Sequence, residues 1–322
     1  MNLRIGLLLA VLFCTIHHVS GQVEWHRRTD KIISGACKAV VYKNKIYVTS
    51  TNADQRIVIE EYNPLNDTWV LKKAVSHTEN AGEFCLVATP SGIFIIGGYR
   101  AGYSLNTVEK YDVDKDTFLL MQDMPIGLDC AVAVSMENLI YVIGGRSAID
   151  SPLSDKVYTF DPVKATWIEK KPAPTARVES HAIVFNNKIY LFGGYVSSNN
   201  SGDIDRCNNI IDEYDPVTDL WNAGELDYAP GKTSIGMGVI KNKIYFVVAD
   251  FGHAGPIAEQ VFKYDPLSKT AARIADRSEL TWLMGTASLK DSIYFIGGIK
   301  GEFPDGERQR ATLILSLPGP DE

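Results

Sequence analysis

LIYVIGG, residues Leu139–Gly145, is an apolar run rich in β-branched and aromatic residues that stops at two glycines, the composition of a short strand. Working outward, the same apolar–aromatic pair recurs at Ile46–Tyr47, Ile93–Phe94, Ile140–Tyr141, Ile189–Tyr190, Ile244–Tyr245 and Ile293–Tyr294, and the aromatic members are 47, 47, 49, 55 and 49 residues apart. Four copies end in a glycine pair: Gly97–Gly98, Gly144–Gly145, Gly193–Gly194 and Gly297–Gly298. Thr49–Ser50 and Val248–Ala249 stand there in the first and fifth copies. A period near 50 residues marks stacked units, none of which buries its apolar face alone. Glycine at a fixed place after the strand predicts a close backbone approach that a side chain would obstruct.

Each unit reads as four short strands. In the first, Ala39–Tyr42 and Ile46–Val48 flank a polar turn, and Ile57–Tyr62 leads through Asn63–Asp67 into Thr68–Lys72. The turn before the last strand repeats as NPLND, DVDKD, DPVKA, DPVTD and DPLSK. Asp or Asn bonds the following backbone there, and Pro presets the turn dihedral. Aromatics flank this turn at a fixed spacing, as Tyr62/Trp69, Tyr111/Phe118, Phe160/Trp167 and Tyr214/Trp221; in the fifth unit Tyr264 faces Ala271. Such residues are expected to be cross-strand neighbours in a hairpin, where large rings pack well.

The N-terminus has a different character. Met1–Arg4 carries one positive charge, Ile5–Ile16 is almost wholly apolar, and small residues follow at Val19–Gly21. This is the layout of a secretory signal, and the apolar core is too short for a permanent span. The expectation is residues 1–21 as a leader and 22–322 as an exported domain. Loss of Arg4 would take the net charge from −7 to −8. No basic stripe is present, so nucleic acid is not expected as a partner. Cys37, Cys85, Cys130 and Cys207 remain after the leader, enough for two disulfides or for buried free thiols. Asn66 and Asn199 head glycosylation sequons.

With hydrophobic run, Gly-Gly, spaced Tyr, turn and Trp in place, the unit resembles a kelch repeat. The resemblance covers Lys38 to about Leu317, is closest in units two to four, and implies an all-β fold, a six-bladed kelch β-propeller. The repeats would span approximately 37–76, 84–125, 130–174, 180–226, 234–276 and 283–317. The last unit ends at Ala311–Leu317 with no aromatic closing strand, whereas Val23–Arg27 resembles the strands that contain Trp69, Trp167 and Trp221. The N-terminal strand is therefore expected to complete blade six and close the ring. No segment resembles the helical dimerisation module of kelch ubiquitin-ligase adaptors, and a monomer is expected.

In such a blade the loop after strand two and the loop before strand one emerge on one face, where kelch relatives bind partners. The longest insert there is Tyr195–Asn209, and long loops on a rigid scaffold tend to carry function. Arg100, Arg146 and Arg177 are ligand-binding candidates that could clamp a carboxylate or sulfate; alternatively each pairs with a nearby acid. His181 could face the channel. No catalytic set, metal site or cofactor is expected: the histidines are scattered, and no phosphate loop, GxSxG or HExxH occurs. The leading expectation is a secreted binding protein for an extracellular protein or glycan. The alternatives are a carbohydrate-active enzyme resembling a sialic-acid mutarotase, with Glu179 and Arg177, or Asp203 and Asp205, recruited as the acid and base pair, and a structural matrix or secretory-fluid component.

Overall fold

The computed structural model describes residues 23–54, 56–79, 82–148, 151–197, 206–224, 233–249, 259–277, 281–282, 284–300 and 307–317. The expected leader and the Asn199 sequon lie outside them. Six four-stranded antiparallel sheets form the body. Blade 1 comprises Ala39–Tyr42, Lys45–Thr51, Arg56–Asn63 and Thr68–Glu79, and blade 2 Cys85–Thr89, Gly92–Ile96, Val108–Asp112 and Thr117–Leu120. Blade 3 comprises Val132–Met136, Leu139–Ile143, Val157–Asp161 and Thr166–Lys170, and blade 4 His181–Phe185, Lys188–Phe192, Ile211–Asp215 and Leu220–Asn222. Blade 5 runs through Thr233–Ile240, Lys243–Ala249, Glu259–Asp265 and Thr270–Arg277.

Blade 6 is built from both ends of the chain. Its first three strands are Gly285–Leu289, Ser292–Ile296 and Thr312–Ser316, and Glu24–Arg28 is the outer fourth. Trp25 pairs with Leu315 in antiparallel register, and its ring lies 5.3 Å from that of Phe295. Inner strands contact their neighbours in sequence around the circle, and blade 6 returns to blade 1. The six-bladed ring closed by the N-terminal strand is thus the observed architecture. Closure removes the open sheet edges that invite aggregation.

Local chemistry accounts for the hairpins. Lys43–Asn44, Asn186–Asn187 and Lys241–Asn242 have positive φ at both positions, the two-residue turn that matches strand twist. At the next turn, Asp161 accepts the N–H groups of Val163 (3.0 Å) and Lys164 (3.1 Å). The aromatic pairs fall opposite one another as their spacing predicts, with ring centroids 4.8 Å apart for Tyr62–Trp69 and 4.7 Å for Phe160–Trp167.

The core is distributed among the seams between blades. Ile46, Val48, Tyr62, Tyr294, Ile296 and Ile314, for example, form the seam that joins blade 6 to blade 1. The glycine pairs serve the seams. At Gly144 (φ 71°) a Cβ would lie 2.6 Å from the Arg177 carbonyl oxygen, and Gly145 N–H donates to that same oxygen at 2.9 Å. The loop leading into one blade therefore rests on the glycines of the blade before it.

A second seam device is a clamp on the outer rim. In blade 1 the Tyr62 hydroxyl donates to Asp67 (2.7 Å). Asp67 accepts the Thr29 N–H (3.1 Å), while Trp69 Nε1 donates to the Thr29 carbonyl (2.9 Å). Thr29 follows the outer strand of blade 6, so both polar groups of one residue are held. Blade 4 treats Lys171 of blade 3 alike: Asp219 accepts its N–H (3.2 Å) and Trp221 donates to its carbonyl (3.0 Å). Blade 2 keeps the acid half, where Asp116 accepts the N–H groups of Lys73 (3.0 Å) and Ala74 (3.3 Å). Blade 3 keeps the indole half, from Trp167 to the Gln122 carbonyl at 3.2 Å.

The strap between closing strand and blade 1 is fixed by a buried ion pair. Lys31 Nζ lies 3.3 Å from Glu60 Oε1, with both side chains inaccessible to solvent, and donates to Ser50 Oγ at 3.0 Å. The other Glu60 oxygen accepts the N–H groups of Ile32 (2.6 Å) and Ile33 (3.1 Å).

Candidate functional site at the channel mouth

The loop-rich face is assembled from short ribbons. The residue after each glycine pair bridges back to the loop leading into its own blade: Tyr99 to Gly82, Arg146 to Asp129, and Tyr195 to Val178. The two loop sets therefore share one face, as expected. At the same place in three successive lead-in loops stand Glu83, Cys130 and Glu179, with φ of 51°, 53° and 53°. Cys130 N–H donates to the Glu83 carbonyl (3.0 Å) and Glu179 N–H to the Cys130 carbonyl (2.9 Å). These bonds tie blades 2, 3 and 4 into an arc around the axis.

Lys38 joins the arc from blade 1, its ammonium 5.9 Å from the centroid of the Phe84 ring. Glu179 keeps contact with solvent, yet the protein crowded around its carboxyl desolvates it and pushes it above its ordinary range; Glu83 adds to the rise, and Lys38 and Arg146 oppose it. Burial likewise raises the Cys130 thiol, reinforced by Glu83, Glu179 and Asp129. His181 opens the inner strand of blade 4, and desolvation, with Lys38 adding to it, lowers its pKa to about 4. Its Nδ1 is buried and makes no hydrogen bond, so the ring enters neutral solution uncharged. No group of three His, Cys, Asp or Glu among the described residues could hold a metal ion.

The arginines do not form one clamp. Arg177 is 1% exposed; its guanidinium pairs with Asp212 and also donates to the carbonyls of Gly193 (3.4 Å) and Thr175 (3.3 Å). A ligand would have to displace Asp212 to reach it. Arg146 is engaged by buried Asp129 at 2.9 Å, whose other oxygen accepts from Ser104 Oγ. Arg100 lies exposed on the ribbon Tyr99–Arg100/Tyr103–Ser104, whereas the guanidinium of Arg177 is buried. Among the candidates, His181 feels the charge of Lys38.

The disulfides left open by the sequence are not formed: Cys37, Cys85, Cys130 and Cys207 are all free thiols. Two of the thiols face the backbone of a neighbouring blade instead of another cysteine. Cys37 Sγ donates to the Ile296 carbonyl (3.0 Å) and Cys85 Sγ to the Ala131 carbonyl (3.1 Å). Burial pushes the Cys85 thiol up to about 12, which makes it unreactive. Asn66 sits exposed in the blade 1 turn, its Oδ1 accepting from Thr68 Oγ1 at 2.7 Å.

A family model described as the KLHDC2/KLHL20/DRC7 Kelch-repeats domain matches residues 83–298. The chain belongs to the kelch-repeat family. Kelch-like protein 35 of Mus musculus is 29% identical over 224 residues, which cover 70% of this chain and 36% of that protein. Kelch repeat and BTB domain-containing protein 12 of Homo sapiens is 27% identical over 202 residues, covering 57% of this chain and 32% of that one. Beta-scruin of Limulus polyphemus is 32% identical over 130 residues, covering 38% and 14%. The kelch chain thus spans about a third or less of the length of these curated relatives. The solved structure of YjhT superposes with a TM-score of 0.76 at 11% identity, covering 91% of this chain and 99% of that one. The shared feature is the propeller.

Sequence reading missed Lys38 and Glu83. The signal that would have found them is positional: counted from the strand pair that precedes Gly-Gly, Glu83, Cys130 and Glu179 occupy one ring position.

Proposed function

We propose that this chain is an exported kelch propeller that binds an extracellular protein or glycan at the mouth of its channel. The observation that carries the reading is convergence without pairing. Lys38, Glu83 and Glu179 come from three different blades, and among the described residues no ion pair or side-chain hydrogen bond engages their charged groups. Neighbouring charges of both signs that do not satisfy one another mark a place for a ligand with complementary groups. The kelch fold is a protein-interaction scaffold, which favours a macromolecular partner; fold alone does not name it.

The test is capture of partners from extracellular fluid by the mature protein, compared with a Lys38→Met/Glu83→Gln/Glu179→Gln variant. The reading expects specific capture that the variant loses while its thermal unfolding is unchanged. Capture that survives all three substitutions would place the interface elsewhere.

A second reading is favoured by the raised carboxyl of Glu179 beside Glu83, since acid–base catalysis uses carboxyls held at different protonation. It makes the mouth a carbohydrate-active site. Exchange of sialic-acid anomers followed by NMR decides it: acceleration by the purified protein, lost in Glu179→Gln, supports the enzyme, and the uncatalysed rate removes it.

A further inference from the structure

Tyr103 is the one exposed aromatic side chain among the described residues, at 75%. It stands on the loop-rich face, in the blade 2 ribbon Tyr99–Arg100/Tyr103–Ser104. Arg100 is its register partner on one side, and Ala148 of blade 3 is its antiparallel bridge partner on the other. Residues directly opposite one another in antiparallel strands present their side chains on the same face. Guanidinium, phenol ring and methyl therefore stand in one row, Arg100–Tyr103–Ala148, and all three residues are exposed.

The backbone under this row is tied down. Ala101 and Gly102 close the ribbon with positive φ at both positions (48° and 95°), the turn that fits strand twist. At its base Tyr99 N–H donates to the Gly82 carbonyl (2.7 Å), Leu105 N–H to the Gly98 carbonyl (2.7 Å) and Ser104 Oγ to Asp129 (2.5 Å). Ala148 is fixed from blade 3, its N–H donating to Ser151 Oγ at 2.9 Å. A ring carried on backbone that is already ordered loses little freedom when a ligand arrives.

The surroundings of Tyr103 decide which ligand fits. Ala101, Gly102, Ser147 and Ala148 beside it are exposed and small, so no large apolar side chain among them frames the ring. A protein hot spot needs such a frame to exclude water. A pyranose needs less, because the C–H groups on one side of the sugar form an apolar face that suits the electron-rich face of the phenol. The guanidinium beside the ring adds a preference for acid, since arginine takes a carboxylate or sulfate in a fork of two hydrogen bonds. Arg177 and Arg146 are engaged by Asp212 and Asp129, whereas Arg100 is exposed next to the ring. We propose that the row is a subsite for an acidic sugar, which stacks its pyranose on Tyr103 and sets its carboxylate or sulfate on Arg100. This rests on the reading of the loop-rich face as a binding face for a glycan, and names the kind of glycan.

Saturation-transfer NMR on the full chain tests it, with the methyl glycoside of N-acetylneuraminic acid, galactose 6-sulfate and neutral methyl galactoside as probes. At least one acidic sugar should bind more tightly than the neutral one, and which of them binds tells carboxylate from sulfate. Tyr103→Ala should weaken that binding about tenfold, Tyr103→Phe should preserve it, and Arg100→Gln should bring the acidic sugar down to the level of the neutral one. Binding of neither acidic sugar would overturn the proposal, as would equal binding by the wild type and Tyr103→Ala. The Lys38→Met/Glu83→Gln/Glu179→Gln variant separates this subsite from the mouth. Acidic-sugar binding that survives there and is lost in Tyr103→Ala supports the subsite and removes the mouth as the place of binding. Partner capture lost in the triple variant, with no sugar bound by the wild type, keeps the mouth and overturns the subsite.

Discussion

Replacing Lys31 by Met tests how the ring is locked. Lys31 sits between the closing strand and blade 1, with Nζ 3.3 Å from Glu60 and 3.0 Å from Ser50 Oγ, and neither charged side chain reaches solvent. Removing one partner of a buried ion pair typically costs about 3–5 kcal/mol, because the other charge stays buried. Glu60 would keep the N–H groups of Ile32 and Ile33, which places Lys31→Met at the lower end, about 3 kcal/mol. Glu60→Leu removes the shared acceptor and strands two backbone donors at about 1–3 kcal/mol each, so it should be the more damaging change. Equilibrium urea unfolding of both single variants and the double gives the coupling, expected to exceed about 1.5 kcal/mol. A loss below about 1 kcal/mol for Lys31→Met, or additive effects of the two changes, would refute the lock.

Three further outcomes are expected. His181 has a folded pKa of about 4 against an ordinary 6.5. The unfolded chain therefore binds the proton first, and stability present above pH 6.5 is lost as pH falls towards 4; His181→Gln should flatten that part of the melting-temperature profile, and an unchanged slope would contradict the burial. Gly144→Ala should cost about 2–3 kcal/mol in urea unfolding, from its left-handed backbone and from contact with the Arg177 carbonyl; a neutral substitution would mean that the glycine is not a seam contact. Expression of the full chain in a secretory host should release protein that begins at Gln22 and loses mass on enzymatic deglycosylation if Asn66 is occupied; protein retained with Met1 would contradict export.

Much of the blade was legible because its determinants are local. The spacing between Tyr62 and Trp69, and its recurrence, needs only a hairpin, and the residues fall opposite one another. Ring closure was legible from composition at two distant places, Trp25 and Thr312–Ser316. What stayed hidden depends on contacts between blades. Asp67 and Asp219 looked like turn residues, and their grip on Thr29 and Lys171 appears only when the neighbouring blade is in place. Arg177 was placed on the correct loop at the wrong depth. Its guanidinium goes inward to Asp212, whereas Glu179, two residues on and at positive φ, stays solvent-accessible. The cysteines share a face, yet their compartment-based pairing takes no account of carbonyls such as Ile296 and Ala131 that engage the Cys37 and Cys85 thiols first.

The most direct test of the closed ring is a cross-link between its two ends. Glu24 and Ser316 are register partners in blade 6, and antiparallel neighbours lie at about 4.5–5.5 Å between Cα atoms, within disulfide reach. Under mild oxidation, Glu24→Cys/Ser316→Cys should lose two hydrogens in intact mass, run as a reducible compact species and melt higher than either single variant. Two free thiols at these positions under the same conditions would contradict closure by the N-terminal strand.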